Sequence, residues 1–242
     1  MAKLLHPGEA ARYVPPGQDH IPEDKRVAFL LKTPSVFDAA AYERACVAAG
    51  AKSWSYPEFL VAMAEGVRAI LPGDENAEER DAIVGEIDAH RAALAELLAE
   101  RAALSKDCAA DEDLADWSVR FASALGNPRM GELEGIVRQH YPRYRAMLAD
   151  NEVAPLLRGI EAARLFLVGW ENLPGDVRRG LRGADDATLA RIPREAFPGI
   201  AAFVESLLRP TETEAGNSGS PSGGASAAPR SPAARTRPRK AR

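Results

Sequence analysis

The side chains that could bind a metal ion or transfer protons are few and scattered. The four histidines lie far apart, at His6, His20, His90 and His140. Glu86 and His90 are one helical turn apart, but no further histidine or cysteine lies at a spacing that would complete a zinc site. We therefore interpret this pair as part of a solvent-facing helix, and we predict no metal and no cofactor.

Motifs for nucleophilic catalysis and nucleotide binding are also missing. The sequence has no G-x-S-x-G elbow, no P-loop and no G-x-G-x-x-G turn after a strand. Cys46 lies in an alanine-rich stretch and is interpreted as a small buried apolar residue. The acidic run Asp111 to Asp113 lacks the pattern of a calcium loop and suits a helix N-terminus. We predict that the protein is not an enzyme, although a site assembled from residues distant in sequence stays possible.

Composition separates the 242 residues into two differently charged parts. Residues 210–242 contain six Lys or Arg and two Asp or Glu, a net charge of +4, whereas the rest carries 25 basic and 33 acidic residues, a net charge of −8. Hydrophobic residues at 46% and charged residues at 27% are typical of a globular protein. The sequence has two cysteines, no signal-peptide pattern and no apolar run of membrane-spanning length. These features predict a cytoplasmic chain.

The elements that must position any site are mainly helical. Two strand candidates, Arg12 to Val14 and Arg26 to Lys32, predict a β-hairpin joined by a proline-rich connection. A lone hairpin is marginally stable in water, so it must pack on another element or recruit a strand. Capping patterns at Ser35 and Ser55, proline breaks and apolar periodicity then predict helices. Their approximate ranges are 36–49, 77–104, 114–125, 130–140, 152–170, 186–192 and 194–208, with a further helix that follows the Ser55 cap, has Pro57 in its first turn and ends at Ile70, and with a turn or two that continue to Leu148.

This pattern predicts a mainly α fold with three segments. Residues 1–35 form the N-terminal hairpin segment and residues 36–209 a multi-helix body. Residues 210–242, rich in Pro, Gly, Ser, Ala and Arg, contain no large apolar side chain and are predicted to be disordered. The tail's arginines are able to neutralise phosphates, but the tail has no aromatic side chain and the body is acidic, so nucleic acid is not the favoured partner.

The longest predicted helix carries a heptad-like seam. The seam consists of Ile83, Ile87, His90, Leu94, Leu97, Arg101 and Leu104, with His90 and Arg101 as its interruptions, and Ile87, Leu94 and Leu97 are the candidate partner-binding residues. The seam is a candidate partner surface. It is also compatible with packing inside the chain as a helical hairpin, which we favour.

Two segments together resemble a known family. The first runs from Tyr13 through the strand Val27 to Lys32 into the helix containing Tyr42-Glu43-Arg44; the second is the stretch Leu165 to Leu173, which contains Gly169-Trp170-Glu171. Their layout resembles that of the tail assembly chaperones and related tail components of long-tailed bacteriophages and prophages. These proteins commonly open with a strand pair leading into a helix and carry a Gly-Trp-Glu turn late in a helical body.

The resemblance implies a binding function in the cytoplasm of a bacterial host. It implies that the chain binds a long helical tape-measure protein and tail-tube subunits, without nucleic acid or membrane. Within it, Phe29 and Leu31 are candidates for a client or self-association surface, and Gly169, Trp170 and Glu171 for a structural anchor. The alternative is a helical adaptor or regulator whose basic tail contacts nucleic acid.

Overall fold

The computed structural model describes residues 8–106 and 111–208, which form eight α-helices and five short strands. The strands are β1 (Ala10–Tyr13), β2 (Ala28–Lys32), β3 (Leu167–Glu171), β4 (Arg179–Gly180) and β5 (Gly183–Ala184). The helices are α1 (Val36–Ala48), α2 (Tyr56–Ile70), α3 (Ala77–Lys106), α4 (Asp111–Leu125), α5 (Pro128–His140), α6 (Pro142–Phe166), α7 (Asp186–Leu189) and α8 (Phe197–Leu208). The mainly α architecture with an N-terminal strand pair is confirmed. Residues 210–242, predicted to be disordered, lie outside the described residues.

The N-terminal hairpin is built as predicted, with a long connection held by one side chain. β1 and β2 are antiparallel, and Tyr13 lies opposite Phe29. The Gln18 amide accepts from the Val27 backbone nitrogen at 2.7 Å and donates to the Val27 carbonyl at 3.1 Å. These two bonds fold the proline-rich connection back onto the start of β2.

The hairpin gains a third strand from the far end of the chain. We predicted a helix continuing to Trp170, but α6 ends at Phe166 and the next five residues form β3. β3 pairs antiparallel with β2, with Phe29 opposite Trp170 and Leu30 opposite Gly169. A short apolar run fits a buried helix or a strand equally well. The open edge of β2 favours the strand, because β3 forms hydrogen bonds with backbone groups of β2 that would otherwise be unpaired.

Capping residues define the helix starts where the sequence predicted them. Ser35 and Asp38 form a reciprocal capping box at α1, and Ser55 and Glu58 form one at α2. Gly50 follows α1 with a φ of 76°, a conformation that favours glycine. The boundaries after residue 140 differ more: α6 is one helix from Pro142 despite Pro155 inside it, and α7 is a single turn. The β4–β5 hairpin was not predicted.

The buried side chains form two clusters that share α6. The sheet-side cluster joins β2, β3, α1 and α8 to the C-terminal half of α6, where Ala162, Ala163 and Phe166 are buried. The helical cluster joins α2, α3 and α5 to the N-terminal half of α6 through Tyr144 and Met147. Because one helix contributes to both clusters, each stabilises the position of the other.

Candidate protein-binding surface

Two of the predicted client-binding residues lie in the interior. Phe29 and Leu31 on β2 have no exposed area and belong to the sheet-side cluster. They point from the sheet toward the helices that cover it, so they offer no surface to a client. The sequence predicted that the hairpin packs on another element or recruits a strand but did not show which side chains that contact would bury; α8 and the end of α6 pack on the face that carries Phe29 and Leu31.

The heptad-like seam of α3 packs against other residues of the same chain. Ile87 and Leu94 are buried in the helical cluster, and Leu97 is half-buried. The Leu97 carbonyl accepts a hydrogen bond from Trp117 Nε1 on α4 at 2.7 Å. These residues therefore pack within the chain, as the favoured interpretation held, and leave no exposed apolar seam for a partner.

The Gly-Trp-Glu segment forms most of β3 and makes contacts of a structural kind. Trp170 packs against the sheet-side cluster, and its Nε1 donates to the Gly175 carbonyl at 2.6 Å. Glu171 pairs with Arg12 Nε at 2.9 Å, which connects β3 to β1 across the middle strand. Gly169 lies opposite Leu30 of β2. A Cβ added at position 169 would be 3.2 Å from Leu30 Cδ1. A larger side chain would crowd the sheet there.

The structure shows the surroundings of the chemistry-bearing side chains that the sequence singled out. Glu86 pairs with Arg129 at 3.0 Å instead of with His90, and burial lowers the pKa of His90 below its ordinary value. Cys46 is buried, and this burial raises the pKa of its thiol, which disfavours the reactive thiolate. Residues 8–106 and 111–208 contain no group of three His, Cys, Asp or Glu placed to hold a metal ion.

The most exposed large apolar side chains of the described residues lie on α1 and on the β4–β5 turn. Phe37 is 87% exposed, Val36 85% and Val47 77%, and Leu181 at the turn is fully exposed. Single exposed apolar residues are common, but three on one 13-residue helix are a feature of binding surfaces. This exposure identifies α1 as the candidate surface.

The orientation of α1 follows from its contacts with the core. Tyr42 and Cys46, one turn apart, are its only buried residues. The Tyr42 ring packs edge-on against Phe166 at 5.9 Å between centroids. At 100° per residue, Phe37, Ala40, Arg44 and Val47 lie on the opposite side of the helix. The sequence could not reveal this, because α1 has apolar residues on both sides and no amphipathic pattern to orient it.

A four-residue polar cluster holds α1 against α6 and α8. Arg158 on α6 donates to Glu205 of α8 at 2.6 Å and to Glu43 of α1 at 2.8 Å. Partial burial opposes its charge, but these hydrogen bonds outweigh that effect and raise the pKa of Arg158. The Tyr42 hydroxyl donates to the Glu205 carboxylate at 3.3 Å. The outward face of α1 is thereby presented on a fixed helix.

A groove of about 500 Å³ runs between α1 and the β4–β5 turn. Ala45, Ala48 and Leu165 supply apolar lining, and Arg182 lines it from the turn. Arg164 also lines the groove and pairs with Asp186 at 2.8 Å. We call this space the α1 groove. A second groove, also about 500 Å³, lies on the other side of the helix end and is lined by Val47, Gly50, Ala51, Lys52, Ser53 and Asp150.

The outer edge of the sheet is a second feature of this end of the molecule. The strand order is β1–β2–β3, so β1 lies at an edge. The other edge is partly engaged, because Arg179 donates to the carbonyls of Leu167 and Leu165. An edge strand with free backbone groups is able to pair with an extended segment.

Comparison with known protein families, with curated proteins and with solved structures gave no significant match. Among the described residues, no helix combines the length and the apolar character needed to cross a bilayer. The arrangement therefore has to be interpreted from its own geometry: an exposed apolar helix, a groove beside it and an edge strand.

Proposed function

We propose that this chain is a non-enzymatic binding protein, a phage tail assembly chaperone that binds the tape-measure protein and assists assembly of the tail tube. The observation that carries the proposal is the pairing of β2 with β3. The two segments on which the family resemblance rests are about 140 residues apart in the sequence, yet Phe29 lies opposite Trp170 in one sheet. The two segments that carry the family resemblance therefore belong to one sheet and form one structural unit.

The exposed helix is a second support for a binding function. α1 begins four residues after β2 ends, so the same unit carries Val36 and Phe37 at its surface. A tape-measure protein is long and helical, and an apolar helix face next to a groove is a common receptor for such a segment. This geometry requires no catalytic group.

Co-expression tests the proposal directly. The chain would be expressed with the long helical tape-measure protein that the proposal expects to be encoded beside it, and the soluble fraction of that protein would be measured with and without the chain. We expect a soluble complex of the two chains on size-exclusion chromatography and aggregation of the tape-measure protein alone. If its solubility is the same without the chain, the chaperone function is wrong.

A further inference from the structure

We infer that an apolar cleft between α2, α3 and α5 binds a basic helical segment of a protein partner. This segment inserts one large apolar side chain into the cleft and pairs a Lys or Arg with Glu79 at its rim. The inference rests on the proposed function in that it names the chemistry of the client segment. Three properties of the cleft support it: its apolar walls, its size and the charge at its rim.

The walls of the cleft are apolar except at one position. Its lining consists of Glu79 and seven apolar residues, Val67, Ile70, Leu71, Ile83, Leu133, Ile136 and Val137. Leu133 and Val137 are buried, whereas Ile136 is 50% exposed and the apolar residues of α2 and α3 at the opening are half-buried. We call this space the α2–α5 cleft. Its partly exposed apolar rim is surface that a partner side chain would cover.

The cleft follows from a close approach of α2 and α5. A Cβ added at Gly66 would lie 2.6 Å from Val137 Cγ1, so the two helices are in contact there. The lining residues of α2 come after this contact, and the chain then turns at Gly73, which has a φ of 90°. α3 follows and supplies Glu79 and Ile83. Because three helices supply the walls, the cleft is a fixed feature of the helical cluster.

The volume of the cleft fits a single large side chain. The cleft holds about 160 Å³, which is below the range of about 300–1,000 Å³ that is typical of small-molecule pockets. One large side chain inserted into a pocket is a common centre of a protein–protein contact. A helical partner presents such an anchor together with the residues three and four positions away, which lie on the same side of the helix.

The rim of the cleft is acidic. Residues 74–81, which lead into the first turns of α3, contain five carboxylates, at Asp74, Glu75, Glu78, Glu79 and Asp81. Arg80, the basic residue of this stretch, donates to the Gly73 carbonyl at 3.1 Å and pairs with Asp81. The other four carboxylates are exposed and form no salt bridge within residues 8–106 and 111–208.

This charge determines the chemistry of the occupant. Acidic residues in the first turn of a helix interact favourably with the helix dipole, but Glu79 also lines the cleft, where its carboxylate has no cation. Arg68, next to Val67 on α2, is exposed and offsets only one of the four unpaired charges. Complementary charge at the rim of an interface selects the partner. A Lys or Arg beside the apolar anchor matches this rim, whereas an acidic segment would be repelled.

Three designed peptides provide the test. Each is an alanine-rich helix: the first has one Leu with Lys at i+3 and i+4, the second has Glu in place of Lys, and the third has Ala in place of Leu. Each would be titrated into the full chain, and the isoleucine methyl signals followed by NMR. We expect the first peptide to bind about tenfold more tightly than the other two.

The methyl signals locate the binding site. The first peptide is expected to shift the signals of the three isoleucines that line the cleft, Ile70, Ile83 and Ile136. Ile192 and Ile200 are the internal controls, because they are buried in the sheet-side cluster, and their signals should not move.

Substitutions in the protein test the anchor and the charge separately. Glu79→Lys is expected to weaken the first peptide about tenfold and to strengthen the acidic one. Glu195→Lys makes the same charge change outside the cleft and should alter neither affinity. Ile136→Ser should also weaken the first peptide, while Val119→Ser on α4 removes another exposed apolar side chain and should have no effect. All four positions are exposed, and circular dichroism would verify that each variant is folded.

The outcomes separate this inference from the proposed function. Equal binding of the three peptides, or unchanged signals of the lining isoleucines, would overturn the inference. Shifts of these signals with the concentration of the chain alone would indicate a second copy in the cleft and would also overturn it. If the peptides behave as expected but the tape-measure protein does not depend on the chain, the cleft assignment stands and the chaperone function fails. If the tape-measure complex forms and is unaffected by Glu79→Lys and by Ile136→Ser, the function stands and the inference is wrong.

Discussion

Arg158 connects three helices through its guanidinium group. It lies on α6 and bonds carboxylates on α1 and α8, and its guanidinium stacks on the Tyr42 ring at 5.2 Å. Its side chain is 23% exposed, so the ion pairs are partly shielded from solvent. Such charge-assisted bonds are stronger than neutral ones, which explains how an alanine-rich helix with only two buried residues keeps its orientation.

Close approach of α6 and α8 depends on one glycine. A Cβ at Gly159 would lie 2.1 Å from the Phe197 carbonyl oxygen and 2.6 Å from the Phe197 Cβ. We predict that Gly159→Ala lowers the free energy of unfolding by about 1–3 kcal/mol, because backbone of α8 must move away. Urea unfolding monitored by circular dichroism would measure the change.

Gly135 is the matched control for this substitution. It lies on α5 with no atom within 4 Å of an added Cβ. Gly135→Ala is therefore expected to raise the free energy of unfolding by about 0.5–1 kcal/mol, since alanine is the better helix former. Equal effects of the two substitutions would contradict the importance of the α6–α8 approach.

At the scale of elements, the turn from β2 into α1 is the junction between core and surface. Asp38 accepts from the Ser35 backbone nitrogen at 2.9 Å and pairs with Lys32 Nζ at 3.0 Å. One carboxylate thus joins the last residue of β2 to the first turn of α1. This junction sets where Val36 and Phe37 are displayed.

The same carboxylate predicts a pH-dependent contribution to stability. Partial burial acts to raise the pKa of Asp38, but the bonds from Ser35 and Lys32 outweigh it and hold the pKa below the ordinary value of 3.8. A group whose pKa is lower in the folded state stabilises it above the unfolded pKa and loses that effect as the pH falls through the folded pKa. Asp38→Ala should therefore cost about 1 kcal/mol at neutral pH and progressively less below pH 3.8.

Chemical denaturation at several pH values would check this dependence. Asp88→Ala on α3 removes another helix carboxylate, which is 43% exposed and pairs only with Arg91 three residues on. We expect it to change the free energy of unfolding by less than about 0.5 kcal/mol at every pH. A cost of Asp38→Ala that stays constant down to strongly acidic pH would show that charge is not involved.

At the scale of the whole molecule, α6 connects the sheet-side cluster with the helical cluster. Phe166 and Tyr144 lie near its opposite ends, and each is buried in a different cluster. The buried residues described for the two clusters run from Phe29 on β2 to Val204 on α8.

Deleting residues 209–242 tests whether the basic tail contributes to stability. We expect the midpoint of thermal unfolding to change by less than about 2 °C, because the described buried residues of both clusters are retained. Binding to duplex DNA at about 0.15 M salt is expected to be equally weak before and after the deletion, since the body is acidic. A clear loss of DNA affinity on truncation would favour the alternative of a nucleic-acid adaptor.

Local signals in the sequence predicted most of the helices and, for several of them, which side is buried. Pro128 and Pro142 mark helix starts, and Met130, Leu133 and Val137 are buried together as their spacing predicted. The candidate site was not predictable in the same way. Phe37 and Phe29 are equally apolar, and nothing in their neighbours distinguishes the exposed ring from the buried one.

By itself, the sequence determined the helical class, the capping boxes, the N-terminal hairpin and the uneven distribution of charge, since each depends on residues close together in the chain. Only the tertiary structure decided that Leu167–Glu171 is a strand, that the outer side of α1 is exposed and that Ala48 and Arg182 line one groove. These features depend on contacts between segments more than a hundred residues apart. β3 pairs with the open edge of β2, and the contacts among Tyr42, Arg158 and Glu205 orient α1 so that Phe37 faces outward.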